Sequence, residues 1–302
     1  MEWEKKYKNL IAEILETGEE VETRNGVRIS VLNKVLTCDL SEGFPIVTGR
    51  HIPFEKIVEE FLWFLRGQTN TKILVEKGVK IWNANSSREY LDSHGLAFLE
   101  EGDIGPGYGF QLRNFGKDYF SQNKVLSQNK VLSQNGVLSQ NSTEGRDQWQ
   151  YVVDLLQKDP TSTRILFSFW DARQLSKMAL PPCHVSYQFL VRGGKLHCTF
   201  YQRSWDVLLG WNMSTAALFT HALSHITGIP VGTVTHMIAD AHIYKIHKKQ
   251  AQEYLTAEIY PLPKLEIEPN IDLVKCPVDI SAANFHLQNY QHGPAIKMRL
   301  VA

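Results

Sequence analysis

The chain has 302 residues, 43% of them hydrophobic and 21% charged, so it has enough apolar material for a full core. Its 32 basic side chains balance 32 acidic ones, which argues against a DNA or RNA binder that relies on a general positive surface. The cysteines Cys38, Cys183, Cys198 and Cys276 form no CxxC pair, so neither a zinc site nor a disulfide framework is predicted.

The N-terminus has no apolar signal core, and no run of about 18 apolar residues occurs along the chain. We therefore expect a cytoplasmic protein with reduced thiols, and we expect neither a membrane nor DNA as its partner.

Hydrophobic periodicity predicts an interleaved series of helices and strands. In chain order, YKNLIAEILETG predicts a helix, VRISVLNKVLTCDL a strand pair and PFEKIVEEFLWFLRG a strongly apolar helix. RILFSFW, HVSYQFLVRGGKLHCTFYQRS and VGTVTHMIADAHIY are typical of strands, with RGGK as a hairpin turn, and STAALFTHALSHITG predicts a long helix. Because no regular βαβ repeat is present, this order predicts an α+β fold.

Residues 121–141 read SQNKVLSQNKVLSQNGVLSQN, a polar six-residue unit that repeats. The unit is too short for a solenoid repeat. We expect a surface insertion, since the entropy cost of closing a loop grows slowly with its length. A small β-layered appendage or partner site is the alternative.

Three short segments carry groups suited to chemistry. In LPPCH, two prolines bend the chain ahead of Cys183, which is then either a buried small residue or a nucleophile. YQRSWD offers Arg203 and Ser204 as an anion cradle, although a surface salt bridge fits equally well. ADAHIY places alternate polar residues on one strand face, as in a lined pocket or a buried polar network.

Together these segments resemble the thymidylate synthase family over nearly the whole chain. The matching stretches, in the family's order, are TRNG, EEFLWFLRGQTN, KGVKIWNAN, GDIGPGYGFQLRNFG, DPTSTRILFSFW, MALPPCHVSYQF, YQRSWD, HITG, DAHIY and NYQHGPAIKM. The resemblance implies one domain over residues 1–302, built on a large mixed β-sheet flanked by helices, with one sheet face forming a homodimer interface.

The resemblance also implies a reaction, the reductive methylation of dUMP to dTMP. A thiolate adds to C6 of the pyrimidine monophosphate, and C5 then takes the one-carbon unit of 5,10-methylenetetrahydrofolate, with no metal involved. The implied catalytic residues are Cys183, Glu60, Tyr108, Asp206 and His184. The implied nucleotide-binding residues are Arg24, Arg164, Gln202, Arg203, Ser204, Asn212, His242 and Tyr244. The implied folate-binding residues are Trp82, Asn85, Asp206, Gly210 and Ala302.

Family roles can be set beside the chemistry of each side chain. Cys183 is the implied nucleophile, and the positive charge of Arg203 would favour its thiolate. Glu60 is the implied general acid and base, and FLWFL around it predicts burial, which is costly for a carboxylate without a function. Tyr108 assists proton removal from C5, and Asp206 holds the pterin ring.

The remaining roles concern the phosphate, the sugar and the tail. His184 is a supporting neighbour of the nucleophile, while His242 and Tyr244 donate to the sugar 3′ hydroxyl. Arg164 matches one of two adjacent arginines that reach into the other subunit's site, but Thr163 replaces the first, so phosphate binding is weaker or another cation compensates. The tail PAIKMRLVA resembles a segment that closes over the folate and excludes water.

The loop that reads the base departs from the family. In DVLLGWNMSTAAL the usual Pro-Phe is missing, so Asn212 is the base reader if the loop is two residues shorter, and Ser214 if the register runs without a gap. We prefer Asn212, because a loop absorbs a deletion more easily than a helix does. An asparagine can pair with both N3–H and O4 of uracil, whereas an aspartate suits cytosine better.

Two other functions stay open. TGRH and Ala239 also depart from the family, as in a relative that hydroxymethylates dUMP or dCMP with the same folate and water. A non-enzymatic RNA-binding or interaction protein on the same scaffold is the second alternative.

Overall fold

A seven-stranded mixed sheet lies at the centre of the computed structural model, which describes residues 2–121, 144–299 and 301. Its strands are β1 (Glu19–Thr23), β2 (Gly26–Asp39), β3 (Leu166–Ser168), β4 (His184–Arg192), β5 (Lys195–Gln202), β6 (Trp205–Asp206) and β7 (Val231–Tyr244). The order is β1-β2-β7-β5-β4-β3, with β6 also on β7. β7 runs parallel to β5 and β6, and the other pairs are antiparallel.

Helices flank this sheet, so the predicted α+β class is confirmed. They are α1 (Glu2–Thr17), α2 (Phe54–Leu65), α3 (Lys72–Glu76), α4 (Asn83–Ser86), α5 (Arg88–Ser93), α6 (Tyr108–Asn114), α7 (Gln148–Lys158), α8 (Asn212–Thr227) and α9 (Lys248–Thr256). A separate antiparallel pair joins β8 (Lys264–Ile267) to β9 (Phe285–Gln288). The predicted 121–141 insertion lies, after Ser121, outside the described residues.

The core forms where α2 and α8 meet beside the sheet. α2 carries apolar residues on nearly every side and is buried along most of its length, as its sequence predicted. Phe61 of α2 packs edge-on against Phe219 of α8, with ring centroids 5.0 Å apart. α8 ends at Gly228, whose left-handed backbone (φ 74°) suits glycine.

The hairpin predicted in RGGK is confirmed, but the strand pair predicted in VRISVLNKVLTCDL is wrong. That segment is the single strand β2, which pairs with β7 in one unbroken register. Asn33 has a left-handed backbone (φ 56°), and buried positions change there from odd to even numbers. The prediction failed because this change of side resembles a turn in the apolar pattern.

One face of the sheet exposes apolar side chains in the described structure. Val35, Met237 and Tyr201 are neighbours across β2, β7 and β5, and they are 57%, 45% and 41% exposed. Exposed apolar rows on a sheet are typical of surfaces that another molecule covers.

Within the described ranges, no helix is both long and apolar enough to cross a membrane.

Candidate active site

A cavity of about 540 Å³ brings together most of the site residues that the sequence predicted. Those that line it are Arg24, Glu60, Trp82, Asn85, Tyr108, Cys183, His184, Gln202, Arg203, Ser204, Asp206, Asn212, His242 and Tyr244. They come from separate parts of the chain, and the sheet, α2 and the loop before β4 bring them to one place.

Arg203 explains why two prolines precede Cys183. Its Nε donates to the carbonyl of Pro182 at 2.9 Å, and its Nη2 donates to the carbonyl of Pro181 at 2.8 Å. The same Nη2 lies 3.8 Å from the Cys183 sulfur. Both carbonyls lie ahead of β4, outside the sheet, so they can accept from a side chain. The guanidinium thus fixes the bend and stands beside the thiol.

Burial, rather than Arg203, dominates the chemistry of the free thiol. Burial raises the pKa of Cys183 above its ordinary value, and the charges of Arg203, Arg28 and Arg24 offset only part of the rise. Arg203 therefore favours the thiolate as expected, but it does not by itself produce one.

Tyr108 and His184 stack on each other beside the nucleophile. The Tyr108 hydroxyl accepts from the backbone N–H of Cys183 at 2.7 Å, and it also hydrogen-bonds to the Cys183 side chain. The ring of His184 stacks on Tyr108 at 4.6 Å, and its Nδ1 lies 2.7 Å from the Tyr187 hydroxyl. Burial lowers the pKa of His184 to about 3, so its imidazole is neutral and suits a supporting neighbour.

Glu60 is the buried carboxyl of the cavity. It lies on α2, and the indole Nε1 of Trp82 donates to its Oε1 at 2.8 Å. Burial raises its pKa to about 7, an effect that the Trp82 hydrogen bond opposes. A carboxyl of this kind exists in both protonation states near neutral pH, as acid–base catalysis requires.

Side-chain hydrogen bonds fix the segment that follows Asp206. Asp206 accepts from the backbone N–H of Leu208 at 3.2 Å, and the pKa of Asp206 is raised by burial. The Tyr7 hydroxyl donates to the carbonyl of Val207 at 2.5 Å, and Arg50 donates to the carbonyl of Leu208.

Gly210, the next residue, has φ 75°, and a Cβ there would lie 3.2 Å from Arg50 Nη2. Gly210 does not line the cavity itself, but Leu209 and Trp211 on either side of it do.

Asn212 and Ser214, the two candidates for the residue that reads the base, lie in different surroundings. Asn212, at the start of α8, lines the cavity. Ser214 is fully buried and donates to the carbonyl of Pro45 at 2.7 Å, away from the cavity lining. The position of Asn212 thus favours the shorter loop.

Arg28 on β2 lines the cavity, although it was not among the site residues predicted from the sequence. Arg28 pairs directly with Tyr244 across the sheet, and Ser30 pairs with His242. The sequence did contain an indication of this site. Polar residues alternate in VRIS of β2, as they do in ADAHIY of β7, the strand beside it in the sheet. Lys80, Trp170 and Trp211 also line the cavity and were not predicted.

Besides Gly210, two further predicted site residues do not line this cavity in the described structure. Arg164 has a 76% exposed side chain and pairs with Asp159 at 3.8 Å, so it does not reach the cavity of its own chain. Ala302 lies outside the described residues.

A second cavity of about 560 Å³ shares Asp206, Trp211 and Val301 with the first. The C-terminal segment docks at its edge, where the N–H of Gly293 donates to the carbonyl of Thr48 at 2.8 Å. Basic side chains line this second cavity, namely Arg50, Lys56, Lys80 and Arg299.

The wall of the first cavity next to this shared region suits a folate. Trp82 and Trp211 provide flat apolar surface, and the buried Asn85 Nδ2 has no hydrogen-bond partner within the described part of the chain. A heteroaromatic ring with acceptor atoms matches such a wall, and an anionic glutamate matches the basic cavity beyond it.

Comparisons with known proteins agree with this geometry. A sequence model described as thymidylate synthase matches residues 5–302. The thymidylate synthase of Homo sapiens is 39% identical over 300 residues, covering 98% of this chain and 90% of that protein. The thymidylate synthase of Ascaris suum is 37% identical over 299 residues, covering 98% and 96%.

Some relatives are longer. The bifunctional dihydrofolate reductase-thymidylate synthase of Paramecium tetraurelia is 38% identical over 300 residues, which is 98% of this chain. The chain spans 61% of the length of that relative and 54% of the length of the bifunctional relative from Zea mays.

Proposed function

Because the chain belongs to the thymidylate synthase family, we propose that it methylates dUMP reductively to dTMP with 5,10-methylenetetrahydrofolate. The single observation that carries this proposal is the thiol of Cys183 in a cavity with an arginine at 3.8 Å and the buried carboxyl of Glu60.

In the proposed reaction, the Cys183 thiolate forms a bond to C6 of the uracil ring. The π electrons of the C5–C6 bond move toward C5 and O4, so C5 becomes a nucleophile. After C5 has gained the one-carbon unit, the C5 proton leaves with help from Tyr108. Departure of the folate amine from the one-carbon unit leaves an exocyclic methylene on C5. When hydride adds to that methylene, the double bond returns to C5–C6 and the Cys183 thiolate leaves C6, while Glu60 exchanges protons through water near O4.

Bound methylenetetrahydrofolate supplies the one-carbon unit and the hydride that reduces it to a methyl group. The protein's part is to hold the ring against Trp82 and Asn85, with Asp206 on the pterin. The tail, which includes Val301 in the cavity lining, excludes water from the reacting carbon.

The nucleotide is held at three points in this proposal. Arg24, Arg203 and Ser204 bind the phosphate, and Gln202 lies beside them. Asn212 pairs with N3–H and O4 of uracil, and its place in the cavity lining supports that role. His242 and Tyr244 bind the sugar 3′ hydroxyl.

We propose a homodimer in which the exposed face around Val35, Met237 and Tyr201 is covered by a second copy. Arg164 would then bind phosphate in the partner's site, since its side chain is exposed and outside the cavity of its own chain. The single domain, the surface insertion at 121–141 and the cytoplasmic location stay predictions.

A mass spectrum tests the proposal directly. Incubation with 5-fluoro-dUMP and methylenetetrahydrofolate should give a covalent ternary adduct on Cys183, because fluorine at C5 cannot leave as a proton does. Cys183→Ala should give no adduct and no turnover, while it keeps dUMP affinity within about tenfold. An adduct-free wild-type protein would point to the non-enzymatic alternative.

The mass of the nucleotide product separates methylation from hydroxymethylation, because the two products differ by one oxygen. A hydroxymethyl product from dUMP or dCMP would replace the first proposal with the second.

A further inference from the structure

Arg28 stands opposite Tyr244 in the register of β2 and β7 and shares the cavity with it. Its side chain is only 20% exposed, and its guanidinium carbon lies 5.3 Å from the centre of the Tyr244 ring. The guanidinium is therefore held over the tyrosine and does not extend into solvent.

The hydrogen bond between these two side chains has a fixed direction. Arg28 Nη2 lies 3.1 Å from the Tyr244 hydroxyl oxygen. A guanidinium can only donate, so the tyrosine oxygen accepts. The single proton of that hydroxyl can then be donated to another group, and Tyr244 lines the cavity.

Arg28 also contacts Asp240, which lies beside His242, the other residue proposed to bind the sugar. Its Nη1 lies 3.5 Å from Asp240 Oδ2, and the same oxygen lies 3.4 Å from Nδ1 of the buried His242. Ser30 donates to the other oxygen of Asp240. Arg28 and Ser30 thus hold the carboxylate that sits beside His242.

We propose that Arg28 is a positioning residue for the nucleotide sugar. It holds Tyr244 as a hydrogen-bond donor and Asp240 beside His242, so that the pair selects nucleotides with a free 3′ hydroxyl. The inference rests on the proposed function, which supplies the sugar role of His242 and Tyr244.

Direct binding of the phosphate by Arg28 is less well supported. Asp240 already balances its charge, and both of its Nη atoms face protein groups. Arg24 and Arg203 line the same cavity, and Arg203 keeps one nitrogen, Nη1, out of the hydrogen bonds described above.

Equilibrium binding of two ligands tests this role without turnover. Wild type, Arg28→Ala, Tyr244→Phe and the double variant are each titrated with dUMP and with 2′,3′-dideoxyuridine monophosphate, which lacks the 3′ hydroxyl. We expect Arg28→Ala to weaken dUMP binding about tenfold and to change dideoxy binding by less than about twofold. The double variant should lose less dUMP affinity than the sum of the two single losses, because part of the effect of Arg28 acts through Tyr244 and the rest through Asp240 and His242.

Arg28→Lys is the second variant, because lysine keeps the charge but has a single nitrogen in place of the planar fork. We expect it to show the same selective loss as Arg28→Ala. Equal losses for both ligands, additive losses with Tyr244→Phe, or wild-type behaviour of Arg28→Lys would overturn the inference and leave the proposed function standing. A wild-type protein that binds neither nucleotide would overturn both.

Discussion

At the residue scale, the surroundings of Glu60 disfavour the ionised form of its carboxyl group. α2 buries the carboxyl, and the one hydrogen bond from Trp82 does not balance the lost hydration, so the pKa rises to about 7. We expect kcat/KM for dUMP to change with an inflection near pH 7. Glu60→Gln should remove that inflection and lower kcat by about 10² to 10⁴. A pH–rate profile of both proteins measures this, and an inflection that survives in the variant would contradict it.

The same substitution should act oppositely on stability. The ordinary pKa of 4.5 applies to the unfolded chain and a pKa of about 7 to the folded one, so the stabilisation by neutral Glu60 is full below 4.5 and is lost as the pH rises through 7. Glutamine cannot ionise. From pH 4 to pH 8, Glu60→Gln should therefore gain about 3 kcal/mol in unfolding free energy relative to wild type. Urea unfolding at both pH values measures the difference, and a gap independent of pH would count against burial as the cause.

Asn212 controls the choice of base in the proposed site. Asn212→Asp removes the donor for O4 of uracil and leaves acceptors, which suit the N4 amino group of cytosine. We expect the ratio of dCMP to dUMP turnover to rise at least about tenfold, because an unpaired buried group discriminates strongly. Ser214→Ala is the matched control and should leave the ratio unchanged, since Ser214 bonds to Pro45. Unchanged relative rates in Asn212→Asp would show that another residue reads the base.

At the element scale, Gly210 and Gly228 have the same backbone conformation but different surroundings. Substitution of each by alanine therefore distinguishes the cost of backbone strain from the effect of a side-chain contact. Gly210 and Gly228 have φ 75° and 74°, but a Cβ would meet Arg50 and Tyr7 only at Gly210, and nothing within 4 Å at Gly228. Alanine at either position should cost about 1–2 kcal/mol of stability. Gly210→Ala should also displace Arg50 from the carbonyl of Leu208 and raise the KM for the folate about 3- to 10-fold.

Thermal unfolding and steady-state kinetics of both variants measure these effects. Gly228→Ala should keep the wild-type KM, because Gly228 ends α8 far along the chain from the loop at Gly210. Equal KM values in the two variants would contradict a role for the contact with Arg50.

How far the sequence predicts these elements depends on how local the signal is. Apolar periodicity predicts α2, and the GG pair at the turn predicts the β4–β5 hairpin. Both signals are local in the chain, and the structure confirms both elements. The single strand β2 is not predicted, because the left-handed Asn33 moves the buried side from odd to even positions. Arg28 and Arg50 are missed for a related reason. Their contacts, Tyr244 and Leu208, lie 216 and 158 residues away along the chain, and only the fold brings them together.

At the scale of the whole molecule, the exposed row on the sheet and the position of Arg164 have one common explanation. Apolar side chains across three strands are costly in water, and a guanidinium predicted to bind phosphate points out of its own cavity. The proposed two-fold dimer would cover this face with a second copy, and it would also let Arg164 of one subunit enter the site of the other. The resemblance implied an interface on one sheet face and an arginine that crosses it, but the side chains of the exposed row could not be named from sequence, because they depend on what the folded monomer leaves uncovered.

Mixed dimers test this arrangement. Cys183→Ala and Arg164→Glu should each be nearly inactive as homodimers, the first without a nucleophile and the second with a negative charge beside the phosphate. When the two are unfolded together and refolded, a hybrid has one site with both Cys183 and the partner's intact arginine, so about one quarter of wild-type activity should return. If Arg164 acted within its own chain, every hybrid site would lack one group and no activity would return. Arg192→Glu, at an exposed arginine that ends β4, is the control for added negative charge and should stay active as a homodimer.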